Sequence, residues 1–250
     1  MSQFTIADLI KEAAEAHKKG DYIKEKEACQ KLYGLYKSEV GEKHPNTLNA
    51  LHNLASSYLY LGDYNKACEL QNIVYNARKE ILGENHPSTL KTLNNLASSY
   101  SYLGDYNKAL ELKIIVYNGR KEILGEKHPD TLNTLNNLAN SYSDLGDYNK
   151  ACELQNIVYN ARKEIQGENH SDTLNALNNL ASSYSYLGDY RKALELEMIV
   201  YNARKEIQGE NHPQTLIALN NLASFYSYLG DYRKALELEM IVYNARKEIQ

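Results

Sequence analysis

HPDTLNTLNNLANSYSDLGDYNKACELQNIVYNARKEIQGE, residues 128–168, is the stretch on which the fold turns, because it recurs along the whole chain. Gly20, Gly62, Gly104, Gly146, Gly188 and Gly230 stand 42 residues apart, and so do Gly41, Gly83, Gly125, Gly167 and Gly209. A fixed period of this size marks stacked supersecondary units. Six units account for nearly all 250 residues: about 2–41, 42–83, 84–125, 126–167, 168–209 and 210–250, read as one array. Thr173–Gln208 and Thr215–Gln250 differ only at Asn175/Ile217 and Ser183/Phe225, the mark of recent duplication or of consensus construction.

Each unit reads as two helices. From about Thr131 to Leu145, the residues Leu135, Leu138, Ala139 and Tyr142 follow the i, i+3, i+4, i+7 rule and form one apolar stripe. Pro129 suits the first helical turn, where its missing N–H costs nothing. Gly146 stops this helix A, since glycine best tolerates the left-handed C-cap, and Asp147 caps the next. Helix B runs from about Tyr148 to Ile165, with Ala151, Leu154, Ile157, Val158 and Ala161 expected inward. The connection of two or three residues makes A and B an antiparallel hairpin. One hairpin cannot bury both faces, so hairpins must stack into an all-α solenoid.

Composition narrows the function. The chain is 43% apolar and 24% charged with a net charge of −4, which gives no basic stripe for nucleic acid. No apolar run reaches the length of a membrane span, and Met-Ser-Gln-Phe-Thr-Ile leads into helix-like sequence without a signal-peptide pattern. Cys29, Cys68 and Cys152 are an odd, scattered set without CxxC, so they read as buried or half-buried thiols of a cytoplasmic protein. Tyrosine is abundant at 22 residues, with 2 Phe and no Trp, because it repeats with the unit.

The pattern Leu135, Leu138-Ala139, Tyr142, Gly146, Tyr148, Ala151 resembles the tetratricopeptide repeat signature. The longer unit, with Thr-Leu-Asn-Asn-Leu-Ala and Leu-Gly-Glu-x-His-Pro, is similar to the kinesin-light-chain type of that repeat. Leu51, Leu93, Leu135, Leu177 and Leu219 begin the same stripe in five copies. The first unit departs from it, with Glu12, Ala16 and Lys19 in place of Leu, Tyr and Leu, as a capping repeat needs. The resemblance implies a right-handed superhelix of about six repeats whose concave groove, lined by helix A, binds a protein or peptide segment.

The helical wheel places the groove face 100–180° from the core stripe. In the third unit this gives Lys91, Asn94, Ser98, Ser101 and Tyr102. The fourth gives Asn133, Asn136, Asn140, Ser143 and Asp144, and the fifth Asn175, Asn178, Ser182, Ser185 and Tyr186. The second and sixth give Asn49, His52, Ser56, Leu59 and Tyr60, and Ile217, Asn220, Ser224, Ser227 and Tyr228. The expectation is a groove of Asn, Ser and Tyr in which an Asn amide pairs a ligand N–H and C=O together. The second Asn of each pair (Asn95, Asn137, Asn179, Asn221) points off this wall and is expected to hydrogen-bond between helices or in the loops instead.

Two ladders invite other readings. His44, His86, His128, His170 and His212 precede each helix A, but a metal needs all its ligands near 2 Å and stacked repeats space them by about 10 Å. Capping or loop hydrogen bonding is expected of them. Arg78, Arg120, Arg162, Arg204 and Arg246 are followed by Glu80, Glu122, Glu164, Glu206 and Glu248, which reads as a solvated, salt-bridged outer face. No catalytic, cofactor or metal constellation is present in the sequence, and repetition itself argues against an enzyme. The competing functions are a peptide-docking scaffold, a ligand-sensing arm of a larger signalling or defence protein, and a structural array without natural ligand. An uncovered apolar edge is expected on the last helix B, with self-association through it.

Overall fold

The computed structural model describes residues 5–249, and among them it holds twelve helices and no strand. They are α1 (Ile6–Lys18), α2 (Tyr22–Val40), α3 (Pro45–Tyr60), α4 (Tyr64–Leu82), α5 (Pro87–Tyr102), α6 (Tyr106–Leu124), α7 (Pro129–Asp144), α8 (Tyr148–Gln166), α9 (Ser171–Tyr186), α10 (Tyr190–Gln208), α11 (Pro213–Tyr228) and α12 (Tyr232–Ile249). Odd helices are the expected A helices and even ones the B helices. Tertiary contacts fall into two compact units, Met1–Thr131 and Leu132–Gln250.

The helix ends follow the local chemistry of the repeat. Gly146 has φ +81°, its N–H reaches Ser143 C=O at 2.9 Å, and Asp147 N–H reaches Tyr142 C=O at 2.9 Å. This is a Schellman stop, whose left-handed residue favours glycine. Asp147 then accepts from Lys150 N–H at 3.0 Å and starts α8. The histidine ladder is a set of N-caps: His44, His86, His170 and His212 accept at Nδ1 from the backbone two residues on. His128 does the same for Asp130 N–H at 3.1 Å.

In the first unit the core runs through Leu90, Leu93, Leu96 and Ala97 of α5 with Leu112 and Val116 of α6 and Cys68 of α4. In the second it runs through Leu177, Leu180 and Ala181 of α9 with Ala193, Leu196 and Val200 of α10, and Phe225 of α11. Each buried Leu adds about 1.5–3 kcal/mol, which is how repeats too small to fold singly hold together. Cys29, Cys68 and Cys152 are free and buried, and burial pushes all three thiols up, Cys29 to about 11.

One inward expectation is corrected. Ile157 is 42% exposed, because Leu154 and Val158 occupy the buried stripe of α8 and Ile157 lies about 100° round from Val158. The first repeat departs from the others as the sequence suggests. Glu25 is buried where later repeats place Ala67, Ala109, Ala151 and Ala193, and His17 Nδ1 lies 3.0 Å from Glu25 Oε2. On α12, Leu236, Met240 and Tyr243 are exposed.

Candidate functional site

The wall residues of the first unit lie along α5. Lys91 and Tyr102 are exposed there, with Asn94 and Ser98 half-buried between them. The wall of the second unit lies along α7, α9 and α11. Asn133, Asn140, Asp144, Asn175, Tyr186, Asn220 and Tyr228 are exposed, and Asn136, Asn178, Ser182 and Ser224 are half-buried.

Successive A helices of the second unit are bonded to one another through these amides. Asn179 Nδ2 donates to Asn136 Oδ1 at 2.8 Å, and Asn221 Nδ2 donates to Asn178 Oδ1 at 3.0 Å. Asn179 and Asn221 therefore bond between helices, one of the two arrangements expected of the second Asn. The first Asn departs from expectation: with its oxygen engaged, its NH2 group is left to face a ligand, and pairing of N–H and C=O by one amide is compromised. Ser182 and Ser224 donate back to Asn178 C=O and Asn220 C=O at 3.1 Å, so their oxygens present lone pairs. Ser98 in the first unit donates to Asn94 C=O at 3.2 Å in the same way.

The wall tyrosines are clamped. Tyr102 stacks on Tyr64 with centroids 5.0 Å apart, Tyr186 on Tyr148 at 5.3 Å, and Tyr228 on Tyr190 at 4.8 Å. In each case the partner is the first residue of the preceding repeat's B helix. Tyr186 and Tyr228 remain 62% and 61% exposed, so each is a rigid ring with an open side. Asp144 removes this rung from α7.

The arginine ladder corrects the sequence reading most. Arg78 and Arg204 are only 5% and 4% exposed. Arg78 donates to Thr92 Oγ1 at 2.6 Å, Ser88 C=O at 3.1 Å and Asn49 Oδ1 at 2.7 Å. Arg204 donates to Gln214 C=O at 3.0 Å and Asn175 Oδ1 at 2.7 Å. Arg162 binds Asp172 C=O and Asn133 Oδ1 likewise. Each guanidinium ties its own B helix to two A helices, and its fork of donors suits the task. The solvated ion pairs belong to the next residue: Lys79 with Glu84, Lys121 with Glu126, Lys163 with Glu168 and Lys205 with Glu210. Asn133 and Asn175 are thus partly structural, and Lys91 and Ile217 are the repeats without that amide.

In the first unit a cavity of about 650 Å³ opens on the A-helix face, lined by Ile10, Ala13, Ala14 and Lys18 of α1, His52 and Tyr60 of α3, and Lys91 and Asn95 of α5. His52 stands where α5, α7, α9 and α11 carry Asn, and it lines this cavity while being only 5% exposed. Its Nε2 lies 3.4 Å from Asn95 Nδ2, and its Nδ1 has no hydrogen-bond partner. Burial, with Arg78 and Lys91 nearby, pushes its pKa down to about 4, so the ring is neutral.

A further set was missed in the sequence. One B-helix position is polar yet fully or nearly fully buried: Gln71, Lys113, Gln155 and Glu197. The signal is the register itself, since this position changes among amide, cation and anion directly after the constant Leu70, Leu112, Leu154 and Leu196. Among the described residues no group of three or more His, Cys, Asp or Glu is arranged to hold a metal, and no helix is long and apolar enough to cross a membrane.

Comparison with known proteins fits this geometry. A tetratricopeptide repeat model matches residues 12–72, 47–113 and 130–198, and a second matches 215–240. The chain belongs to the tetratricopeptide repeat family. The nearly identical TPR-like repeats of a kinesin-light-chain-type protein of Podosopora anserina share 28% identity at TM-score 0.74, over 83% of this chain and 98% of that one. BtubC (BKLC) from P. vanneervenii shares the fold at 19% identity and TM-score 0.72, over 96% and 92% of the two chains. The apo quorum sensor NprR from B. thuringiensis shares it at 17% and 0.71, over 96% and 64%. No curated protein matches. Family membership supports a protein-interaction scaffold role for these repeats.

Proposed function

We propose that this tetratricopeptide repeat chain is a non-catalytic cytoplasmic scaffold whose A-helix faces, one in each unit, hold extended segments of a protein partner. The contacts are Lys91, Asn94, Ser98 and Tyr102 in the first unit. In the second they are Asn133, Asn136, Asn140, Asp144, Asn175, Asn178, Ser182, Tyr186, Asn220, Ser224 and Tyr228. The observation that supports this reading most is the interhelical amide ladder. It fixes Asn136 and Asn178 with oxygens inward and leaves their N–H groups for the carbonyls of a ligand. Serine lone pairs one helical turn away accept from ligand N–H groups, and the clamped tyrosines add area without loss of side-chain entropy.

The test is selection from a displayed random peptide library, followed by binding of the selected peptides to Asn136→Asp/Asn178→Asp/Asn220→Asp. Aspartate keeps the acceptor that Asn179 and Asn221 need and deletes the outward donor. Loss of binding by the folded triple variant is expected. Undiminished binding would move the docking surface off the A helices and end this reading.

A further inference from the structure

Beneath the amide ladder lies a charge that packing does not require. Glu197 of α10 is completely buried. Its Oε1 accepts from Asn221 Nδ2 at 3.2 Å, the same amide that donates to Asn178 at 3.0 Å, and its Oε2 has no partner. Asn178 is a half-buried wall residue and Asn221, also half-buried, bonds it to α11, so the carboxylate is linked to the wall through one intervening amide. Burial holds its pKa up at about 7, which measures how poorly the site solvates an anion.

The sister repeats show that the carboxylate is dispensable for folding. Gln155 fills the same buried position in α8 and donates to Asn140 Oδ1 at 3.3 Å; Gln71 fills it in α4 and accepts from Ser99 Oγ at 2.8 Å. In α6 it is Lys113, whose Nζ lies 3.5 Å from Ser101 Oγ. In α4, α6, α8 and α10 this position is buried and bonded to an A helix, and it carries an amide, a cation or an anion; in α2 it is the buried Cys29 and in α12 the exposed Glu239. A buried charge costs more than its neutral isostere unless something complements it.

We infer that this buried B-helix position sets which ligand side chain each segment of the groove accepts, and that Glu197 selects a lysine or arginine over the α9–α11 floor. The inference rests on the proposed peptide-binding role. Through Asn221 the carboxylate orients the amide, and through the poorly screening interior its field reaches a cation that never touches it. Glu197 is a positioning residue, acting through Asn178 and Asn221.

The experiment uses the full chain, 15N-labelled, at pH 8, where Glu197 is ionised. The probes are two blocked nonapeptides, three repeats of Ala-Ser-Lys or of Ala-Ser-Glu. The lysine peptide is expected to shift the side-chain amide signals of Asn178 and Asn221 and to bind at least fivefold more tightly than the glutamate peptide. Glu197→Gln, which restores the residue of α4 and α8, is expected to abolish most of that preference. The control Glu206→Gln, the same charge change at an exposed site, is expected to keep it. If neither peptide shifts these signals, the groove reading and this inference fall together. If both bind there equally, or Glu197→Gln keeps the preference, the groove stands and the inference is overturned.

Discussion

The A-helix faces of the two units come from one repeat, yet each hides a titratable group of opposite kind. In the first unit His52 replaces the groove asparagine and burial drives it down to about 4. In the second Glu197 replaces a buried glutamine and burial drives it up to about 7. The difference teaches that the repeat's framework resides in its apolar stripe, caps and arginines, which both units share. The layer beneath the face is free to vary, and it varies in charge.

The shared framework is where substitution costs most. Arg78→Ala takes a donor from the buried Thr92 hydroxyl, from Asn49 and from the Ser88 carbonyl and unties α4 from α3 and α5, and about 4 kcal/mol of stability is expected to go. Arg204→Ala is expected to match it within the second unit, whereas Arg246→Ala, at an exposed position, is expected to change little. Urea midpoints measured on the three variants test this. A small effect at Arg78 would return the ladder to the solvated face that the sequence suggests.

The two buried groups sharpen the contrast through pH. His52 is neutral when folded and ordinary, near 6.5, when unfolded, so the unfolded chain binds more protons between about 4 and 6.5. Stability from this site is lost as pH falls through that window. His52→Asn restores the residue of the later repeats and is expected to stabilise by about 3 kcal/mol at pH 4, with almost no effect at pH 8. Glu197 runs the other way: the folded chain binds more protons between about 4.5 and 7, and stability falls as pH rises through that range. Glu197→Gln is expected to stabilise by about 2–3 kcal/mol at pH 8 and to be neutral below pH 4.5. The readout is the difference in unfolding free energy between each variant and wild type across pH. Two differences of the same sign slope would refute the contrast.

How much of this was legible follows from the range of the signal. The hairpins, the glycine stop at Gly146, the cap at Asp147 and the interhelical role of Asn179 and Asn221 all depend on neighbours within one unit or on its fixed period. A single sequence displays both. The burial of Arg78 does not, because Thr92 and Ser88 that bury it come from the next repeat's helix, and on paper the arginine sits beside Lys79 and Glu80 as any surface charge would. Asn136 was placed on the correct helix but its oxygen was already taken by a residue 43 positions on. Ile157 and Val158 are apolar neighbours that cannot share one stripe, and only packing says which is inside.

The smallest expected effect concerns what the two units have in common at the face itself. Tyr102→Asp writes into α5 the residue that α7 carries at Asp144, and Tyr186→Asp does the same in α9. Each loses a stacked partner, Tyr64 or Tyr148, at 5.0 or 5.3 Å. The rings are more than half exposed, so little apolar area is at stake and the stacking itself dominates, about 1 kcal/mol in each unit. Losses of that size, alike in both units, would make the tyrosine clamp part of the shared framework, and α7 a repeat that gave it up without losing its fold. A loss too small to measure in both would leave the rings no structural task. Their rigidity and open faces would then be explained by what they bind, which is the stronger result for a docking surface.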